Sequence, residues 1–435
     1  MNVLLISDMA HTGFGRVGRE LASGLAAKGH DLRIIGINYR GPVGEVDARF
    51  QKRTTGTIAE RLREAVEIVA ADPLLDIMVP AGLKGDGMGL NLTAPAIMGR
   101  VFRGWQPDGI VIVADPAAMR NRLTYDDRSL GAAARRGVPI LNYVPIEGEP
   151  LPLEYRRLWQ IVTPVAMSAY GQGVLEALLG RPVPLAHHGV SGAFRPVSAR
   201  DPIRYEEATI TTREGAKERM GLGGRTLILR NDRHILRKNY GAFFRSMAPV
   251  LAAHPEVTLV IHCSLIDEFG DLRQLLSAQP GAVDEGGGAW THPQFHFTLA
   301  HDTFRGVTDE GLRLLYNAAD LYVSPTMAEG FGLCLAESMA CGTPVVATDY
   351  SAVPEVVGPG GVLVPPYAHM TSEHALLWAL VDEPAMTAAV MRLLERPAER
   401  RRLGAAGRLH AAKFTWQAAV DVFDRLLTDP AAVAA

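Results

Sequence analysis

Two series of short, continuous apolar runs, each alternating with helical patterns, constrain the fold of this chain more than any other feature. The first series reads VLLIS, LRIIGI, DIMVP, GIVIVAD and PILNYVP. Runs of this length, apolar at nearly every position, suit strands of a parallel sheet whose two faces are both covered by helices. QIVTPVAMS and PVPLAHHGV supply a sixth and a seventh candidate strand. The Pro-, Ser- and charge-rich stretch SGAFRPVSARDPIRYEE then breaks the pattern, as a linker or irregular surface segment does. Beyond it the alternation restarts with RTLILRND, a helix over about 237–253, VTLVIHCS, QFHFTL, DLYVSPT, TPVVATD and GVLVPP. The expected architecture is α/β, with two doubly wound Rossmann-like sheets. At 435 residues the chain can bury two cores. The boundaries fall at 1–191 for the first domain, 192–412 for the second and 413–435 for a final helical segment.

Composition excludes some functions. The formal charge is only −3 and neither half is strongly basic, which argues against a nucleic-acid platform. The three cysteines, Cys263, Cys334 and Cys341, have no metal-ligand spacing and read as core residues of a reduced, cytoplasmic protein. No apolar run approaches the roughly 18 residues of a membrane span, so stable membrane insertion is not expected.

Gly13, Gly15 and Gly18 show the spacing G-x-G-x-x-G after the first apolar run. In a dinucleotide fold the first glycine follows the strand at once, and a carboxylate about 20 residues on holds the ribose. Here Asp8 to Thr12 intervene, and Asn38 and Arg40 stand where the carboxylate belongs. A loop facing another ligand, or a turn that permits close helix packing, fits better than a nicotinamide site.

The segment SPTMAEGFGLCLAESMACGTPVVATDYSAVPEVV, residues 324–357, carries the most chemistry. A strand ends at Pro325, a loop holds Glu329, Gly330 and Gly332, and a helix follows. The free N–H groups of Phe331, Gly332, Leu333 and Cys334 at its start form an anion site. Glu337 interrupts an otherwise apolar helix; spacing alone allows it to lie on a solvated stripe or to be a buried carboxylate that vicinal sugar hydroxyls satisfy. Upstream, LRNDRHILRKNYGAF sets Arg233 and Lys238 five apart near a helix start, two fixed cations suited to a diphosphate whose charge rises as a bond to it breaks.

Together these residues resemble a retaining glycosyltransferase of family four, the large GT-B group related to glycogen and sucrose synthases. EGFGLCLAESMACGTPVVAT is similar to its donor-site signature, and Arg233 and Lys238 match its R-x-x-x-x-K diphosphate clamp. The resemblance implies an acceptor-binding domain facing a nucleotide-sugar-binding domain across a cleft, with the last helix, in KFTWQAAVDVFDRLL, crossing back onto the first. It also implies a hexosyltransferase that passes a sugar from a nucleotide diphosphate to a hydroxyl acceptor with net retention. That acceptor is a glycan, a lipid-linked or small molecule or, less in keeping with the charge, nucleic acid. Glu329 would bind donor-sugar hydroxyls with the backbone of Gly330 to Gly332, and Glu337 the ribose. Arg233, Lys238 and the amides of Leu333 and Cys334 would hold the diphosphate, and Gly13 and Gly15 would lie beside it. No D-x-D motif occurs, so no metal or other cofactor is expected. Many relatives place a histidine near the anomeric carbon where this chain has LNYVPIEGEPLP, which leaves Tyr143 and Glu147 as candidates for positioning sugar or acceptor. A nucleotide-sugar epimerase, a phosphorylase and a sugar-binding protein without turnover are the alternatives.

Overall fold

The structure is a computed structural model, and it describes residues 1–9, 12–37, 78–81, 104–119, 127–267, 270–286, 289–298 and 307–429. The described chain forms two compact units, one of residues 1–189 with 416–429, the other of residues 190–415. Asn38 and Arg40 lie outside the described residues.

In the first unit, six parallel strands stand in the order β3-β2-β1-β4-β5-β6: β1 (Asn2–Asp8), β2 (Asp31–Ile37), β3 (Met78–Ala81), β4 (Gly109–Val113), β5 (Ile140–Val144) and β6 (Thr163–Ala166). Every residue of β4 and β5 is buried, as expected of runs without polar alternation. Helix α1 (Gly13–Ala27) starts at Thr12, whose hydroxyl accepts from the Gly15 N–H at 3.2 Å, and buries Val17, Leu21 and Leu25 at four-residue intervals. PVPLAHHGV is not a seventh strand. Prolines 182 and 184 lack the N–H a ladder needs, and only an isolated bridge from Ala166 to Leu185 forms.

The second unit repeats this order, β9-β8-β7-β10-β11-β12, again all parallel: β7 (Thr226–Arg230), β8 (Val257–Ile261), β9 (Phe295–Phe297), β10 (Leu321–Ser324), β11 (Val345–Thr348) and β12 (Gly361–Val364). Leu227 and Leu229 of β7 point to one core, shared with Leu314, Leu335 and Met339. Ile228 between them points to the other, with Phe243, Met247 and Val390. Both faces of the sheet are thus covered, by α5 (Asp309–Ala318) and α6 (Leu333–Ala340) on one side and by α4 (Tyr240–Ala253) and α7 (Glu383–Glu395) on the other. In the first unit the corresponding helices include α2 (Asp127–Arg135) and α3 (Ala169–Leu179), and α8 (Pro397–Ala411) completes the second.

Two segments depart from expectation. The helix expected from about residue 237 begins at Tyr240. A 3-10 turn, Leu236–Lys238, precedes it, and Asn239, at φ 55°, accepts from the Ala242 N–H to cap it. The irregular stretch after residue 191 contains a two-stranded hairpin, Ile203–Tyr205 with Ala208–Ile210. The fully buried guanidinium of Arg313 gathers the carbonyls of Arg195 and Asp201 at 3.1 and 3.0 Å, which ties this stretch to α5.

The last helix, α9 (Trp416–Thr428), packs on α1 within the first unit. A side chain at Gly24 would stand 2.3 Å from Val420, so only glycine lets the helices approach this closely. Lys28 pairs with Asp421 at 2.6 Å, and His30 with Asp424 at 2.9 Å, at the rim of that contact.

Candidate functional site

In the sheet of the second unit the strand order reverses between β7 and β10, where the chain leaves in opposite directions. Loops leaving the carboxyl ends of two such strands diverge and open a crevice, the usual ligand position in an open α/β sheet. The residues there are Asn231 and Asp232 after β7 and the 325–332 loop after β10.

That loop is held by its own backbone. The Met327 N–H donates to the Arg237 carbonyl at 2.8 Å, which pins the Leu236–Lys238 turn against it. The Glu329 N–H donates to Ser351 Oγ at 2.8 Å. At Gly332, φ is 104°, and α6 begins on the next residue with no side-chain cap. Its first amides, those of Leu333 and Cys334, have no acceptor within the helix and face the end where the dipole is positive.

Lys238 and Glu329 meet directly. Lys238 Nζ lies 2.6 Å from Glu329 Oε1 and 2.7 Å from Asp232 Oδ1, so two of its three N–H groups go to carboxylates. Thr326 Oγ1 also donates to Glu329 Oε1, at 2.8 Å, and Arg237 Nη1 lies 3.2 Å from Oε2. Arg230, fully buried, pairs with Asp232 at 3.2 Å and donates to the Lys238 carbonyl. Tyr322 donates to Asp232 Oδ2 at 3.1 Å. Burial works against every charge here, and the partners outweigh it: Asp232 and Glu329 raise the Lys238 pKa, while Lys238 and Arg237 hold Glu329 below the usual carboxylate range. Asp232 is pushed down further, against burial, by Arg230 and Lys238. Three cations, Arg230, Arg237 and Lys238, face two carboxylates. The excess of positive charge adds to the start of α6, and the site favours an anion.

Glu337, on the second turn of α6, is buried and accepts from the Tyr316 hydroxyl at 2.7 Å. Burial keeps that phenol protonated, and Asn231 Nδ2 donates to it at 2.8 Å. The hydroxyl has one proton and gives it to the carboxylate, which fixes the Asn231 amide orientation.

Three of the sequence-derived residues, Lys238, Glu329 and Glu337, therefore group with the start of α6 at the carboxyl ends of the two central strands, β7 and β10. Gly330 and Phe331 are buried beside them, and Phe331 packs edge-on against Phe414 at 5.2 Å. Arg233 is exposed, and the arginine that reaches Glu329 is Arg237. Arg230, Asn231, Asp232, Arg237, Tyr316 and Tyr322 were not singled out in the sequence. One signal was there: LILRND places an arginine at the end of an apolar strand and an aspartate two residues later.

In the first unit, Gly13 and Gly15 open α1, and the Gly15 amide is taken by Thr12. Glu147 is half-buried in the loop after β5. Tyr143 is not available to position a sugar or an acceptor. It is wholly buried, and its hydroxyl donates to the Ala186 carbonyl at 2.6 Å and stands 2.7 Å from His188 Nδ1. Its one proton goes to the carbonyl, so His188 must donate Nδ1–H. Burial, with a smaller push from His187, lowers the His188 pKa to about 3 and keeps the ring neutral. Both faces of β5 are covered, and Tyr143 packs edge-on against Phe423 at 5.0 Å.

Residues 234–396 match the family described as "Glycosyl transferases group 1". An MMP alpha-(1->4)-mannosyltransferase of Mycolicibacterium hassiacum is 42% identical over 116 residues, 26% of each chain. A D-inositol 3-phosphate glycosyltransferase of Segniliparus rotundus is 31% identical over 166 residues, 34% of this chain and 33% of the relative. The aligned regions span only a quarter to a third of these curated relatives. Among solved structures, a sucrose-phosphate synthase from Thermosynechococcus elongatus superposes over 98% of both chains with a TM-score of 0.61 at 18% identity. The Anabaena protein HepE, solved with UDP and glucose, does so over 98% of both with a TM-score of 0.63 at 15% identity. The chain has the two-domain GT-B fold, and its segment 234–396 is similar to the glycosyltransferase group 1 family.

Proposed function

We propose that this chain is an enzyme, a glycosyltransferase that moves a sugar from a nucleotide diphosphate to a hydroxyl acceptor with net retention and without a metal. The observation that carries this reading is the convergence of Lys238, Glu329, Glu337 and the start of α6 at the switch point of the second sheet. In this reading the α6 amides and the excess cationic charge receive the diphosphate, with Arg233 and Lys238 neutralising it as the glycosidic bond breaks. Glu329 binds hydroxyls of the transferred sugar and Glu337 those of the ribose. The third N–H of Lys238 is the donor left for a phosphate oxygen. The charge that a metal supplies elsewhere would come from fixed cations and helix amides, and the departing phosphate would accept the acceptor's proton. Relatives and neighbours named as glycosyltransferases, together with a neighbour solved with UDP and glucose, support a transferase over an epimerase or an inert binder.

The test is a panel of UDP-, GDP- and ADP-sugars, read by calorimetry and by release of the nucleoside diphosphate with EDTA present. Saturable binding and turnover of at least one donor are expected. No binding to any, or turnover that vanishes with EDTA, would overturn the reading or its metal-free form respectively.

A further inference from the structure

Helix α8 presents an unusual outer face. Its inner side carries Leu403, Gly404, Gly407 and Ala411, all buried. At 100° per residue, Arg408, Arg401, Leu409 and Arg402 fall within an arc of about 120° on the opposite side, and Lys413 just past the helix continues it. All five are exposed, Leu409 to 71%. The remaining outward positions of this arc are Ala398, Ala405 and, at the end of the helix, Ala412. No acidic residue occurs between Glu399 and Asp421, although the whole chain is net negative at −3. Among the described residues, Arg401, Arg402, Arg408 and Lys413 have no ion-pair partner. Glu399, at the edge of this face, is already shared by Arg392 and Arg396 at 3.6 and 3.8 Å. Arg400 is turned to the protein and donates to the carbonyls of Leu393 and Leu394 at 3.1 and 3.0 Å.

We infer that this face of α8 docks the protein on an anionic phospholipid surface. Arginine and lysine on one side of a helix are drawn to acidic headgroups, and their aliphatic stems reach the interface. A leucine in their midst, costly to leave in water, inserts at the headgroup boundary. The alanines let the helix axis come close. Nucleic acid would share the charge but gives no use to the leucine, and the face holds no aromatic or amide side chain to stack on or read a base. No helix among the described residues is long and apolar enough to cross a membrane, so this mode of contact lies on the surface rather than through it.

Vesicle co-sedimentation tests this, with phosphatidylcholine alone and with one third phosphatidylglycerol. The full chain should bind the anionic vesicles and lose that binding in 0.5 M salt. A cation near an acidic leaflet is worth about fivefold in partitioning, so the triple variant Arg401→Gln, Arg402→Gln, Arg408→Gln should bind about a hundredfold less. Leu409→Gln should weaken binding severalfold in low salt. All four positions are exposed, and an unchanged melting temperature will show that the variants fold. Equal binding to neutral and anionic vesicles, or a triple variant that binds as the parent does, overturns the inference. So does charge-dependent binding to a duplex oligonucleotide in the absence of any to vesicles.

Discussion

Lys238 holds two carboxylates apart from water and from each other. Replacing it with alanine would leave Asp232 and Glu329 buried with fewer partners, which typically costs 3–5 kcal/mol when a buried pair is broken. Lys238→Ala should therefore lower the melting temperature and, on the proposed reading, reduce turnover about 10²- to 10³-fold. Retained turnover in a folded variant would remove Lys238 from the diphosphate site. Tyr316 offers a milder cut. Tyr316→Phe keeps the ring and deletes one hydrogen bond to an ionised carboxylate, worth about 1.5–3 kcal/mol. The Kd for a nucleotide sugar should rise about tenfold or more while turnover at saturation changes little. An unaltered Kd would show that Glu337 does not need this donor to engage the ligand. Glu329 and Glu337 were both legible in the sequence, because a carboxylate in an apolar helix or beside a G-F-G turn requires an explanation. Asp232 and Arg230 were not, because a charge at the end of a strand is usually solvated, and only the packing of Tyr322 and Tyr240 around them shows otherwise.

At the scale of elements, the start of α6 depends on one backbone angle. Gly332 stands at φ 104°, where side chains are disfavoured, and a Cβ there would come within 2.9 Å of Leu335 Cδ1. Gly332→Ala should cost about 1–3 kcal/mol in stability. It should also weaken nucleotide-sugar binding by turning the Leu333 and Cys334 amides, as read by thermal unfolding and calorimetry. A variant with both quantities unchanged would mean that the loop tolerates a different path. Strands were the most readable elements. Continuous runs such as LILR and VVAT admit no solvated face, and all six strands of the second sheet stand where the runs predict. PVPLAHHGV misled because it is apolar enough for a strand, while its prolines cannot donate to one. The Leu236–Lys238 turn left no periodic signal, since three residues are too few to show a period.

For the whole molecule, His188 is one source of acid sensitivity. The unfolded chain takes up a proton there below pH of about 6.5, whereas the folded one does so only near 3. The folded state binds fewer protons across that window, so stability falls as pH falls, by up to about 1.4 kcal/mol per pH unit. Glu329, depressed in the fold, acts in the same direction but only below its unfolded value, its contribution being present above that value and lost as pH drops. Between pH 6.5 and 5 the carboxylates do not contribute, and His188 acts together with His296, whose pKa burial also lowers. His188→Asn, which can keep a donor toward Tyr143, should flatten the dependence of melting temperature on pH in that range, and an unchanged slope would contradict this account. The amino-acid sequence by itself determined the two α/β series, the order of the chemistry-bearing residues and the glycine turn, because hydrophobic period and backbone freedom are local properties. Only the tertiary structure decided that Tyr143 is buried, that Arg237 rather than Arg233 reaches Glu329, and that Lys238 is clamped by two carboxylates. Those outcomes depend on which side chains meet after distant segments pack, and the burial that sets their charges exists only in the folded sheet.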